Sequence, residues 1–177
     1  MPNMSPGIDW IVYDYENGTD FSPEFTTNET DSVKYFDKAW ESVKQYNAKT
    51  KSNAKFMVTP PYGELKSGNW DWGVAAKHMD GIDIQTQRLV KDMSTFQGHV
   101  IQIYDQLQEK PPTVFSMIQF SLRPSVGTIQ DTLTGIYSAK NLGFDAFLIF
   151  YDQYSQNSQL DDFFKVLHKS DYTNNSK

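Results

Sequence analysis

Asp9-Trp10-Ile11-Val12-Tyr13-Asp14-Tyr15-Glu16 reads as an apolar strand that ends in two carboxylates. A strand sends residues i and i+2 to one face, which sets Asp14 and Glu16 side by side, roughly 6–7 Å apart. Two carboxylates held at that spacing can divide labour. One stays ionised and orients a substrate, while the other, its pKa raised by its neighbour and by burial, donates a proton. Cleavage of a glycosidic bond uses such a pair. The same residues also suit a half-buried strand that runs into an acidic loop.

Outward from this stretch, apolar strand-like runs recur at residues 55–59, 81–86, 113–120 and 146–151. Stretches of helical period separate them. Val33, Phe36, Trp40, Val43 and Tyr46 form one stripe; Met93, Phe96, Val100, Ile103, Tyr104 and Leu107 form another; residues 129–139 and 160–167 complete the series. Strand alternating with helix predicts the α/β class with a parallel sheet, since parallel neighbours need a long connection. Pro60-Pro61-Tyr62-Gly63 predicts a turn, and residues 67–73 a loop into a short helix at 74–77. Residues 1–170 are expected to form a single domain, and the polar stretch 171–177 a disordered tail.

The 177-residue chain is long enough to bury a sizeable core, and its 15% aromatic content supplies large apolar groups for one. A net charge of −6 with no Lys/Arg cluster argues against nucleic acid as a partner. The absence of cysteine excludes disulfides, thiolate metal sites and cysteine nucleophiles. His78, His99 and His168 show no metal-ligand spacing, and neither a metal nor another cofactor is implied. No apolar run reaches the ~20 residues of a membrane span, and residues 1–7 carry neither a basic start nor an apolar signal core. A composition rich in Asn, Gln, Ser, Thr and Tyr fits secreted or cell-surface carbohydrate-active proteins. Sequons at Asn17, Asn28 and Asn174 add little to that.

Polar pairs sharing a face fall at the carboxyl ends of three strands: Asp14 with Glu16, Gln85 with Gln87, and Gln119 with Ser121. In parallel α/β folds this rim is where ligands bind, although polar residues also mark where strands emerge into solvent. Glutamine amides offer donors and an acceptor to sugar hydroxyl and acetamido groups, and aromatic rings offer flat faces to the sugar. Candidate platforms are Tyr62, Trp70, Trp72 and Tyr151; Arg123 is a candidate for binding a substrate oxygen or pairing with an acidic loop residue.

With these residues in order, the chain resembles the second half of a family-18 glycoside hydrolase barrel, the chitinase and endo-N-acetylglucosaminidase group. That family carries DxxDxDxE on its fourth barrel strand, and Asp9, Asp14 and Glu16 match three of the four acidic positions. Its sixth strand carries an Asp, an apolar stretch, Met or Gln, one residue and Tyr; residues 80–87 follow this up to Gln87, which stands in place of the Tyr. Its eighth strand is matched loosely by residues 143–150, with Phe150 in place of Trp.

The resemblance implies a TIM-barrel-like fold, here five β-α units corresponding to barrel strands four to eight. It implies substrate-assisted retaining hydrolysis of N-acetylglucosamine-containing glycans, with Glu16 as acid and base and Asp14 holding the acetamido group. Gln85, Gln87, Gln119, Tyr62, Phe150 and Tyr151 would line the sugar site. Val12, where the family has an inner acid, together with Gln87 and Phe150, implies weakened or redirected activity. A non-catalytic glycan-binding or cell-surface barrel with a degenerate site is the competing reading. A barrel of this kind takes ~250 residues, which predicts a truncated or split coding sequence, or a partner chain or second copy covering the open sheet edges. An unrelated α/β domain using the acidic pair for a divalent cation ranks last, because no further carboxylate is placed on the rim.

Overall fold

A computed structural model of the chain describes residues 8–16, 26, 28–60, 70–108, 114–150 and 157–174. The strands are β1 (Trp10–Asp14), β2 (Lys55–Thr59), β3 (Gly81–Gln85), β4 (Phe115–Ser121) and β5 (Ala146–Phe150). The helices are α1 (Glu29–Thr50), α2 (Trp72–Ala75) with a 3-10 turn at Ala76–His78, α3 (Met93–Leu107), α4 (Ile129–Leu142) and α5 (Asn157–Asn174). The strands make one parallel sheet in the order β1-β2-β3-β4-β5, with β1 and β5 at its edges. Alternating period-2 and period-3.6 patterns therefore resolve as the α/β class expected from the sequence. The last helix runs on to Asn174, through residues read as a polar tail.

Close contacts divide the chain into two compact units, Met1–Gln85 with Ile101–Met117, and Thr86–Val100 with Ile118–Lys177. In the first, β1 and β2 pair in register from Trp10 opposite Lys55 to Asp14 opposite Thr59. β2 and β3 pair with Met57 opposite Gly81 and Val58 opposite Ile82. One face of these strands carries Tyr13, Tyr15, Phe56 and Val58, and α1 packs on it through Phe36, edge-on to Tyr15 at 5.1 Å between ring centroids. Trp70 and Trp72 extend this aromatic core, 5.0 Å apart. The Asn28 side chain caps α1 by accepting from Asp31 N–H, and acidic Glu29 and Asp31 stand at the positive end of the helix dipole. Asn47 closes the turn into β2 by bonding both the N–H and the C=O of Ala54.

The second unit is built around Phe96, Phe120 and α4. A Thr128–Asp131 capping box starts α4, and the two Thr128 donors hold the Asp131 carboxyl below its usual range. Gly143 ends α4 in the left-handed region with φ 106°, and both its N–H and that of Phe144 bond back to the Ala139 carbonyl. Gly135 lets α4 approach Phe120, where an added Cβ would meet the ring at 2.7 Å.

Candidate functional site

The rim of the first unit is set by Tyr15. Its backbone N–H continues the β1–β2 ladder to the Thr59 carbonyl at 3.0 Å, so strand geometry extends past Asp14. Its side chain is fully buried on the helix face, with the hydroxyl bonded to Ser32 Oγ at 3.1 Å and receiving the Thr26 N–H at 2.8 Å. A side chain fixed on one face fixes its two neighbours on the other. Asp14 and Glu16 accordingly share the opposite face, as the sequence alternation predicts.

The strand register arranges that opposite face in rows. Val12, Met57 and Gly81 form one, and Asp14 and Thr59 begin the next. Asp83 completes it, for the Thr59 hydroxyl donates to its Oδ2 at 3.3 Å. One row further out, Gln85 Nε2 donates to Glu16 Oε1 at 2.5 Å and holds that carboxylate from β3. Glu16 and Gln85, both expected in the site, are thus brought together across the rim.

The acids differ in environment. Asp14 is an exposed residue, yet nearby protein displaces enough water from its carboxyl to raise its pKa, and the charge of Glu16 adds to the rise. Asp83 is 2% exposed. Its pKa is pushed up to about 6, mainly by burial and further by the Asp14 charge, against the opposing bond from Thr59. Asp83 is the residue that sequence reasoning missed: a third carboxylate does stand on this face. Its signal was available, an acid on the same face as Gln85 in an otherwise apolar strand. Among the described residues, however, no three His, Asp or Glu side chains gather as a metal site.

Gln87 and Gln119 meet in the second unit, the Gln87 amide donating to Gln119 Oε1. Between Gln85 and Gln87, Thr86 is buried, and both its N–H and its hydroxyl donate to the Gln119 carbonyl. Phe150 is 39% exposed, with the Arg123 guanidinium 5.6 Å from its ring centroid. Arg123 therefore lies over an aromatic face. Trp70 and Trp72 are 1% and 2% exposed and belong to the core, which corrects their reading as platforms for a sugar. Tyr62 and Tyr151 lie outside the described residues.

Two clefts open away from these residues. One of about 470 Å³ lies at the amino end of β1 and β2, lined by Asp9, Trp10, Asn53 and Lys55 among others. Another of about 440 Å³ lies beside α4 and the amino end of β5. Among the described residues no helix is long and apolar enough to cross a membrane. Comparisons of the chain with protein-family models, with curated proteins and with solved structures give no match.

Proposed function

We propose that the Asp14–Glu16 rim is a glycoside hydrolase-like site for N-acetylglucosamine-containing glycans, carried on a partial TIM-barrel-like sheet that corresponds to barrel strands four to eight. The observation that carries this reading is the pairing of acids on one face. Glu16 is oriented by Gln85 from a neighbouring strand, and Asp14 stands one row below. A sequential parallel sheet with its polar rim at the carboxyl ends of the strands is compatible with such a barrel.

The chemistry follows from the placement. Glu16 donates a proton to the glycosidic oxygen as the acetamido oxygen of the sugar attacks the anomeric carbon and the leaving group departs. Asp14, ionised, accepts from the acetamido N–H and offsets the positive charge of the cyclic intermediate. Glu16 then takes a proton from the water that reopens the ring, restoring the N-acetyl group with retention at the anomeric carbon.

Glycan binding without turnover is the second reading. Val12 favours it, since a hydrocarbon 53% exposed occupies the row below Asp14 and supplies no proton there. Hydrolysis of a fluorogenic N-acetylglucosamine oligomer separates the two. Turnover by the wild-type chain, lowered about 10²-fold or more in Glu16→Gln, is the expected result. A folded wild-type chain that binds the oligomer and releases no fluorophore decides for binding alone.

A further inference from the structure

The buried acid on β3 is not used by the chemistry above, and its surroundings give it a role. Phe115 N–H donates to the Asp80 carbonyl, a bond of the parallel ladder that sets Phe115 beside Gly81 and hence Met117 beside Asp83. The row across the sheet therefore runs Asp14, Thr59, Asp83, Met117: an exposed acid, a hydroxyl, a buried acid and a thioether. The Thr59 hydroxyl has one proton and two lone pairs, so it serves the two acids unequally. It donates toward Asp83.

We infer that Asp83 is a positioning residue that holds the proton of the rim: it stays neutral while Asp14 is ionised, and the row then carries one negative charge in place of two. This deepens the proposed function and rests on it only for what the rim is used for. The order of ionisation follows from solvation. Asp14, although its own pKa is raised, is an exposed residue that keeps part of its water, whereas Asp83 must ionise in a nearly water-free position, facing an Asp14 already charged. Among the described residues, the strand register sets the following groups around Asp83. β1 contributes Asp14 and, one row out, Glu16; β2 contributes the uncharged Thr59, with Lys55 two rows below under the Trp10 ring; β4 contributes Met117.

Ionising Asp83 puts a second charge into the row that already holds the Asp14 carboxylate. The rim thus holds its working charge state on the acid side of neutrality, and loses it as pH rises through about 6.

Carboxyl ¹³C NMR titration of the full chain tests this without any glycan, so a chain that lacks hydrolytic activity still returns an answer. The variants are Asp14→Asn, an exposed position that tolerates the change, and Thr59→Val. In the wild-type chain Asp83 should ionise after Asp14. In Asp14→Asn the Asp83 midpoint should fall by roughly half a unit to one unit, the size expected for a charge removed across two strands. In Thr59→Val it should rise, because the ionised form loses a donor. An Asp83 midpoint that stays in place in Asp14→Asn, or an Asp83 that ionises before Asp14, overturns the assignment.

Discussion

Two aspartates, one just before β3 and one at its centre, are treated in opposite ways. At the amino end, Asp80 Oδ2 accepts from the Trp40 indole at 3.0 Å and from the Phe56 N–H at 2.9 Å. Its own backbone N–H donates to the Phe56 carbonyl, and its carbonyl accepts from Phe115. This carboxylate is a clamp that ties α1 and β2 to the start of β3, while the Asp80 backbone links that start to β2 and β4. Three residues on, Asp83 points to the rim face, and burial outweighs the bond it receives from Thr59, so that its pKa rises to about 6. Two N–H donors make a carboxylate structural, while a buried carboxyl whose donor is outweighed becomes a group that exchanges protons near neutral pH.

The comparison breaks first at Asp80. Asp80→Ala should destabilise the chain by about 2–4 kcal/mol in urea unfolding, because it orphans the N–H of buried Phe56 as well as the indole of Trp40. Both bonds fall on one oxygen, so Asp80→Asn, which keeps a carbonyl oxygen, should recover most of the loss. Equal losses in the two variants would mean that charge, not acceptance, is what the clamp supplies.

At the centre of the strand the effect depends on pH. The folded-state pKa of Asp83, about 6, lies above its ordinary value of 3.8. The native state therefore holds a proton that the unfolded chain releases, and the stability this group contributes is greatest below pH ~4 and is lost as pH rises through about 6. The difference of some two units corresponds to about 3 kcal/mol. Asp83→Asn lacks that titration. Its stability relative to the wild-type chain should climb by about 2–3 kcal/mol between pH 4 and pH 7, and a difference flat across that range would mean that Asp83 is ionised throughout.

Legibility in the sequence follows the range of the interaction. The β2 limits match the sequence reading residue for residue, and the other strands fall within one or two residues of it, because period-2 alternation is local. The start of α1 at Glu29 lies four residues upstream of Val33, where the apolar stripe begins, and is marked by the Asn28 cap, a signal present but not used. Asp14 and Glu16 were found by alternation alone. The Gln85–Glu16 bond was not, since it depends on how β1, β2 and β3 register against one another, and register is a property of three strands. Asp83 was legible as an acid on the face of Gln85, but only the register shows that Thr59 and Asp14 share its row. Trp70 and Trp72 sit in a loop-like context by composition, and their burial comes from Tyr15 and Phe36, distant in the chain.

The smallest effect sharpens the contrast between the two faces of β1. Tyr15 is anchored on the helix face by its ring against Phe36 and Trp70, and by its hydroxyl between Ser32 and Thr26. Tyr15→Phe keeps the ring and removes the hydroxyl. Ser32 Oγ retains bonds to the Thr26 and Asn28 carbonyls, so the group that suffers is the Thr26 N–H. The expected loss is about 1–2 kcal/mol, read as a lower urea midpoint with an unchanged m-value. If the ring alone fixes the alternation, Asp14 and Asp83 should titrate in this variant as they do in the wild-type chain. A moved Asp83 midpoint would instead show that the hydroxyl network under α1 sets the depth of β1 in the sheet, and with it the spacing of the acids on the opposite face.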